Sequence, residues 1–205
     1  MEEFVFKTEF WIPIWTNKKA RSISEFVDII KIIDEGSIFY HFYVNIYNYH
    51  NLPTIYSNSF AYWFYQQGYQ TLAEKISIID ATLYNDLNSI RHEVSFIVEE
   101  ELKNLKDDKV FYPFYFISIS RQVVDIGIRA KSMEDFVKGI ELSSINSIFY
   151  HMVSTKIDNR KAMNDYSEWL LSKSFSEKAE KILGIDLYTS NLIDVKNKIL
   201  EILKQ

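Results

Sequence analysis

At 205 residues with 47% apolar content, the chain is long enough for one large domain or two small ones with a full core. Its net charge of −5 argues against nucleic acid as the default partner. Cysteine is absent, which excludes disulfides, thiol catalysis and thiolate metal sites.

In chain order, Phe4-Val5-Phe6-Lys7-Thr8-Glu9-Phe10 is aromatic-rich and partly alternating, the pattern of a short strand. Helical spacing follows from Ser22 to Asp34, with Phe26, Ile29, Ile30 and Ile33 on one face. Ser22 is the expected N-cap and Glu25, three residues on, its capping-box partner. Gly36 is expected to end this helix and Ser37 to cap the next, over 38–48. That second helix sets an apolar face (Ile38, Phe39, Phe42, Ile46 and Tyr49) against a polar stripe of Ser37, His41, Asn45 and Asn48. Asn51-Leu52-Pro53-Thr54 reads as a loop. Further helices are expected over 58–67 around Trp63, over 72–79, and over 83–102 with a cap near Asp86 or earlier.

The same text is then written a second time. Ser37-Ile38-Phe39-Tyr40-His41 returns as Ser147-Ile148-Phe149-Tyr150-His151, 110 positions on. Phe4 and Phe6 map to Phe114 and Phe116, and Ser22 to Ser132, at the same offset. After the histidine the offset falls to 106, which pairs Trp63 with Trp169 and Asp80 with Asp186. Arg91 matches Lys196 at 105. A period this long marks two copies of a small domain rather than a solenoid. The expected fold is mainly α: two homologous helical repeats, 1–109 and 110–205, of about five helices each, packed about a pseudo-twofold axis, with a short antiparallel β-ribbon from the repeat N-termini as an optional addition.

The repeated His41 and His151 admit two readings. One is an acid, a base or a ligand in a pocket with Tyr40 and Tyr150. The other is a polar anchor that hydrogen-bonds a neighbouring element, and this is the favoured one. Trp63 and Trp169 are a stacking platform or, more in keeping with bulky residues at matched positions, core. Arg91 and Lys196 keep one positive charge, to pair with Asp80 and Asp186 or with the Asn58 and Asn164–Asp165 region, or to bind an anion. Tyr40, His41, Trp63, Arg91, Tyr150, His151, Trp169 and Lys196 are therefore the candidate pocket residues. No His or acidic residues fall at metal-ligand spacing, and His50 and His92 have no histidine counterpart in the second copy, so neither a metal nor a cofactor is expected. Phosphate-binding glycine loops and the Gly-x-Ser-x-Gly elbow are missing, so no catalytic residues are assigned.

The ordered elements Ala-x-Ser-x-x-[Glu/Asp]-Phe, Ser-Ile-Phe-Tyr-His, aromatic-x-x-Trp and Ala-Glu-Lys-Ile-x-x-Ile-Asp resemble a domain family of unknown function from archaea and thermophilic bacteria, whose members can carry the unit twice. The resemblance implies no activity and transfers no site residue. Abundant Ile, Lys, Glu and Tyr without Cys also fits a thermophile.

The two copies disagree most in their tyrosines. Tyr43, Tyr47, Tyr62 and Tyr65 of the first copy become Val153, Ile157, Glu168 and Leu171. The functional expectation is a non-enzymatic helical module that binds a protein partner or itself through this Tyr-rich face. The alternative is a small-molecule protein or enzyme, carbohydrate included, that uses the repeated Tyr-His pairs. No nucleic acid or membrane partner is expected, since no stretch approaches the ~18 apolar residues of a membrane span. The acidic start, Met1-Glu2-Glu3, is unlike a signal peptide, and the expected location is the cytoplasm.

Overall fold

The computed structural model describes residues 3–48, 56–105 and 109–205. The expected loop at 51–54, Tyr49 and His50 lie outside them. The elements run β1 (Phe4–Ser22), α1 (Ile23–Ile30), α2 (Glu35–Tyr47), α3 (Ser59–Gln66), α4 (Gln70–Ser77) and α5 (Leu87–Leu102). The second copy gives β2 (Lys109–Ala130), α6 (Met133–Leu142), α7 (Ile145–Phe149), α8 (Thr155–Asp158), α9 (Asp165–Ser172), α10 (Ser176–Leu183) and α11 (Leu192–Lys204). A π-helical turn, Tyr150–Ser154, joins α7 and α8 into one rod that corresponds to α2.

The mainly-α, all-helical expectation is wrong. β1 and β2 pair as a two-stranded antiparallel sheet of 19 and 22 residues, far beyond a short ribbon. Period-2 alternation fails over 10–17 because residues 12–15 are exposed on both faces. Strand pairing rather than a buried face holds that stretch extended. Each strand also carries one residue in the left-handed region at matched positions, Asn17 (φ 59°) and Gly127 (φ 78°).

The chain forms two compact units whose limits differ from those of the sequence copies. Unit 1 is Met1–Trp11 with Arg121–Gln205, and unit 2 is Ile12–Ser120. The helices of unit 1 are thus those of copy 2, but the strand carrying Phe4 and Phe6 is copy 1's. Unit 2 holds copy 1's helices and copy 2's Phe114 and Phe116.

In each unit that borrowed strand completes a six-ring core. In unit 1, Phe4 and Phe6 (centroids 4.7 Å apart) meet Phe136, His151, Tyr166 and Trp169. Phe136 and Trp169 stack at 4.3 Å. In unit 2, Phe114 and Phe116 (4.8 Å) meet Phe26, His41, Phe60 and Trp63, with Phe26 and Trp63 stacked at 5.4 Å. Each buried ring of this size makes a large apolar contribution.

Helix ends follow capping chemistry with one correction. Ser22 accepts from the Glu25 amide, Ser132 and Asp135 form a complete capping box, and Asp86 accepts from Asn88 and Ser89. Gly36, however, lies inside α2, and the cap is Asp34, whose carboxylate accepts from the Ser37 amide. Gly36 is inside because the strand passes close: a Cβ there would lie 2.7 Å from Ser118 Oγ. The equivalent cap in unit 1 is Ser144. Both caps also touch the strand, through Asp34–Ser118 and Ser144–Thr8.

Gly139 on α6 sits against Phe6, whose ring atoms would come within 2.2–3.0 Å of an added Cβ. Gly139→Ala should therefore destabilise by about 1–3 kcal/mol, overriding the ~1 kcal/mol helix-propensity gain. Chemical denaturation checks this, and Phe6→Leu in the same chain should recover part of the loss.

Candidate functional site

Within the polar stripe of the second helix, the histidine reaches the strand in both units. In unit 2 the His41 Nε2 accepts the Ile117 amide at 3.0 Å, and in unit 1 the His151 Nε2 accepts the Lys7 amide at 2.9 Å. Ser147 Oγ adds a bond to the Lys7 carbonyl at 2.6 Å. An imidazole nitrogen that accepts from a backbone amide carries no proton, so in both rings the proton sits on Nδ1. Both histidines are buried, and burial holds His41 down to about 3.

At Nδ1 the two units part. His151 Nδ1 donates to Asp165 Oδ2 at 2.8 Å. Unit 2 has Ser59 at the position of Asp165, and His41 Nδ1 has no partner among the described residues. Burial also lowers the His151 pKa, with Asp165 opposing. With both nitrogens engaged, His151 cannot take up a proton from a substrate. Its chemical output is a fixed carboxylate.

That carboxylate lines an open cleft of about 450 Å³ in unit 1, together with Lys7, Tyr150, His151, Glu168 and Trp169. Asp165 Oδ1 stands 3.8 Å from Lys161 Nζ, which bonds Glu168 at 2.5 Å. Glu3 adds a third carboxylate to the wall and pairs with Arg129 and Lys131 at 3.7 and 3.8 Å, while Lys7 is the one cation among the lining residues. Burial, and the nearby carboxylates, push Tyr150 up to about 12, so it stays a neutral hydroxyl. The π turn begins at Tyr150 and His151, which line the cleft. It is a one-residue insertion into the helix: the C-caps Asn48 and Asn159 are 111 apart, whereas the histidines are 110 apart. Such bulges are frequent at functional sites.

The same turn aims Ser154 at a buried carboxylate. Glu9 accepts from Ser154 Oγ and Trp11 Nε1, both at 2.8 Å, and Arg121 pairs with Glu9 and with Asp158. Burial raises the Glu9 pKa. This group was missed from sequence, although a signal existed: Glu9 is matched by Ile119 and Arg121 by Trp11 in the other copy.

Of the eight candidate pocket residues, Tyr150, His151 and Trp169 meet at the cleft, while Tyr40, His41 and Trp63 belong to unit 2. Trp63 and Trp169 are 5% and 7% exposed, packed as core rather than as open platforms. Trp63 Nε1 donates to the Tyr112 carbonyl at 3.0 Å. Arg91 and Lys196 share one role that had not been foreseen. Arg91 donates to the carbonyls of Ile30 and Ile33, and Lys196 to those of Glu141 and Ser143, closing the end of the preceding α1 or α6. Among the tyrosines of the first copy, Tyr43 and Tyr56 are buried and Tyr65 is exposed. Tyr43 donates to the Ala81 carbonyl. Among the described residues no three His, Asp or Glu side chains converge as metal ligands, and no helix is long and apolar enough to cross a membrane.

The histidines make the fold acid-sensitive. A folded-state pKa below the unfolded value means that stability is full above about 6.5 and falls as pH drops toward the folded value. His41 alone should cost about 2 kcal/mol between pH 7 and pH 5. Urea titrations of wild type and His41→Gln at both pH values check this: the variant, weaker at pH 7, should lose less on acidification.

Comparison with known proteins agrees with this architecture. No curated protein matches the chain. A solved structure, OrfY from the thermophilic archaeon Thermoproteus tenax, is similar over 99% of this chain and 94% of its own, with a TM-score of 0.86 and 23% identity, a likeness of fold. The model of a family of unknown function, DUF5752, matches residues 1–204. The chain belongs to that family.

Proposed function

We propose that unit 1 binds a small, positively charged or hydrogen-bond-donating molecule in the cleft beside Asp165. The supporting observation is the divergence of the duplicated histidine. Both copies use Nε2 to hold a strand, but only His151 spends Nδ1 on fixing a carboxylate at an open cleft. Structural duty alone requires no acid there, since unit 2 folds with Ser59. The volume suits a small metabolite, and the Asp165 carboxylate, held by His151 with its nearest lysine 3.8 Å away, suits an amine. Unit 2 is then the structural partner copy, with no matching carboxylate.

A second reading, protein interaction, is supported by a separate observation. The ribbon segments of unit 2 expose large apolar side chains, among them Trp15 at 67% and Phe111 at 79%.

The cleft is tested by thermal shift with ethanolamine, putrescine and agmatine. Near 100 times its Kd, a fitting amine should raise the melting temperature by at least about 5 °C. Asp165→Asn, which keeps the shape, should remove most of that shift. No shift with any amine, or an equal shift in the variant, contradicts the reading.

A further inference from the structure

In unit 2 the ribbon is formed by residues 12–22 and 109–120. These segments hold Lys18, Lys19, Arg21 and Lys109 and not one carboxylate, in a chain of net charge −5. The same segments expose Ile12, Ile14, Trp15, Phe111, Tyr112 and Tyr115. In a two-stranded sheet both strands are edges, but the outer edge of β2 is occupied in unit 2. The Phe111 and Tyr112 amides donate to Gln67, the Tyr112 carbonyl accepts from Trp63, and the Ile117 amide donates to His41. The β1 edge is therefore the one to which a further strand can add.

The basic and the apolar groups meet at one built feature. Asn17 adopts φ 59° in the middle of β1. Beside it the Thr16 hydroxyl donates to the Phe116 carbonyl at 2.6 Å and accepts the Lys18 amide at 3.1 Å, which fixes the distortion. A cleft of about 230 Å³ opens there between Trp15, Lys18, Lys19 and Tyr115. The Trp15 and Tyr115 rings meet edge-on at 6.5 Å, and Lys19 Nζ lies 5.8 Å from the Tyr115 centroid. The matching position of the other copy, Gly127, has no such surroundings: its neighbours Asp125 and Arg129 pair with each other. The backbone distortion thus belongs to the fold, and the aromatic–lysine cleft belongs to this copy.

Lysines on an edge strand commonly serve to block unwanted pairing. That role accounts for Lys18 and Lys19 and leaves six exposed apolar side chains beside them without one. We infer that the ribbon of unit 2 docks an extended acidic segment of a partner protein. The segment would pair along the β1 edge, set an apolar or aromatic side chain between Trp15 and Tyr115, and place carboxylates at Lys18 and Lys19. This takes up the interaction reading and is independent of the amine cleft. Single-stranded nucleic acid would use a similar set of side chains, but the cations gather at one end of the ribbon instead of tracking along it, and the rest of the chain is acidic.

The test is fluorescence anisotropy on the full chain with three labelled probes: a ten-residue peptide alternating Glu with Val and Phe, its Lys-for-Glu counterpart, and a ten-nucleotide oligothymidine. Wild type should bind the acidic peptide in a salt-sensitive manner and the Lys peptide at least tenfold more weakly. Lys18→Glu/Lys19→Glu should weaken the acidic peptide at least tenfold, and so should Trp15→Ala. All three side chains changed are at the surface, and circular dichroism verifies that the variants fold. Four results each overturn the proposal: no binding of the acidic peptide, unchanged affinity in both variants, tighter binding of oligothymidine, or light scattering that shows the ribbon occupied by a second copy of this chain. The Asp165→Asn variant should bind the peptide as wild type does, which separates this result from the fate of the cleft.

Discussion

The rest of the structure depends on one hydrogen bond made twice: a strand amide donating to a buried, neutral imidazole. Lys7 donates to His151 and Ile117 to His41, at 2.9 and 3.0 Å. Each bond joins a strand from one sequence copy to a helix from the other. The Phe4–Phe6 and Phe114–Phe116 pairs are positioned by these amides and by the cap contacts of Thr8 and Ser118. Without the borrowed strand each helical set would lose two of its six rings and expose the other four. The exposed backbone would also lack its partner, and an unpaired buried group costs about 1–3 kcal/mol.

Duplication also explains the asymmetry of the candidate site. A fold that needs the histidine twice for structure needs its second nitrogen for nothing in particular. In one unit that nitrogen has no partner among the described residues. In the other it holds Asp165 at the mouth of a cleft. The π turn, the buried Glu9 and the Arg121–Asp158 pair all belong to that same unit. Polar chemistry is concentrated in unit 1, whereas unit 2 carries the exposed aromatic ribbon.

The sequence showed the duplication, most helix boundaries and the identity of the core rings, because each rests on local spacing or on repetition. Ser132 with Asp135, and Asp86 before Leu87, were legible as caps for that reason. The strands were not legible at their true length. Residues 12–15 face water on both sides, so they show no alternation, and the segment they pair with is about 100 residues away, as in Thr16 with Phe116. Gly36 was read as a helix stop because its actual reason, a close strand, is tertiary. Arg91 was matched with carboxylates, yet its partners are backbone carbonyls that no residue pattern reveals. For the site, identity between the copies marked scaffold. The informative positions were mismatches, such as Asp165 against Ser59, Glu9 against Ile119 and Asp125 against Trp15.

The exchange of strands between copies is most directly tested by cutting the chain in two ways. Fragment 12–120 contains every part of unit 2, whereas fragment 1–108 is the first sequence copy without its last residue, where β2 begins, and lacks the strand that His41 holds. Circular dichroism melts with light scattering should show 12–120 as a cooperatively folding monomer. Fragment 1–108 should be largely unfolded, or folded only as a dimer that supplies the missing strand in trans. A monomeric 1–108 as stable as 12–120 would contradict the account.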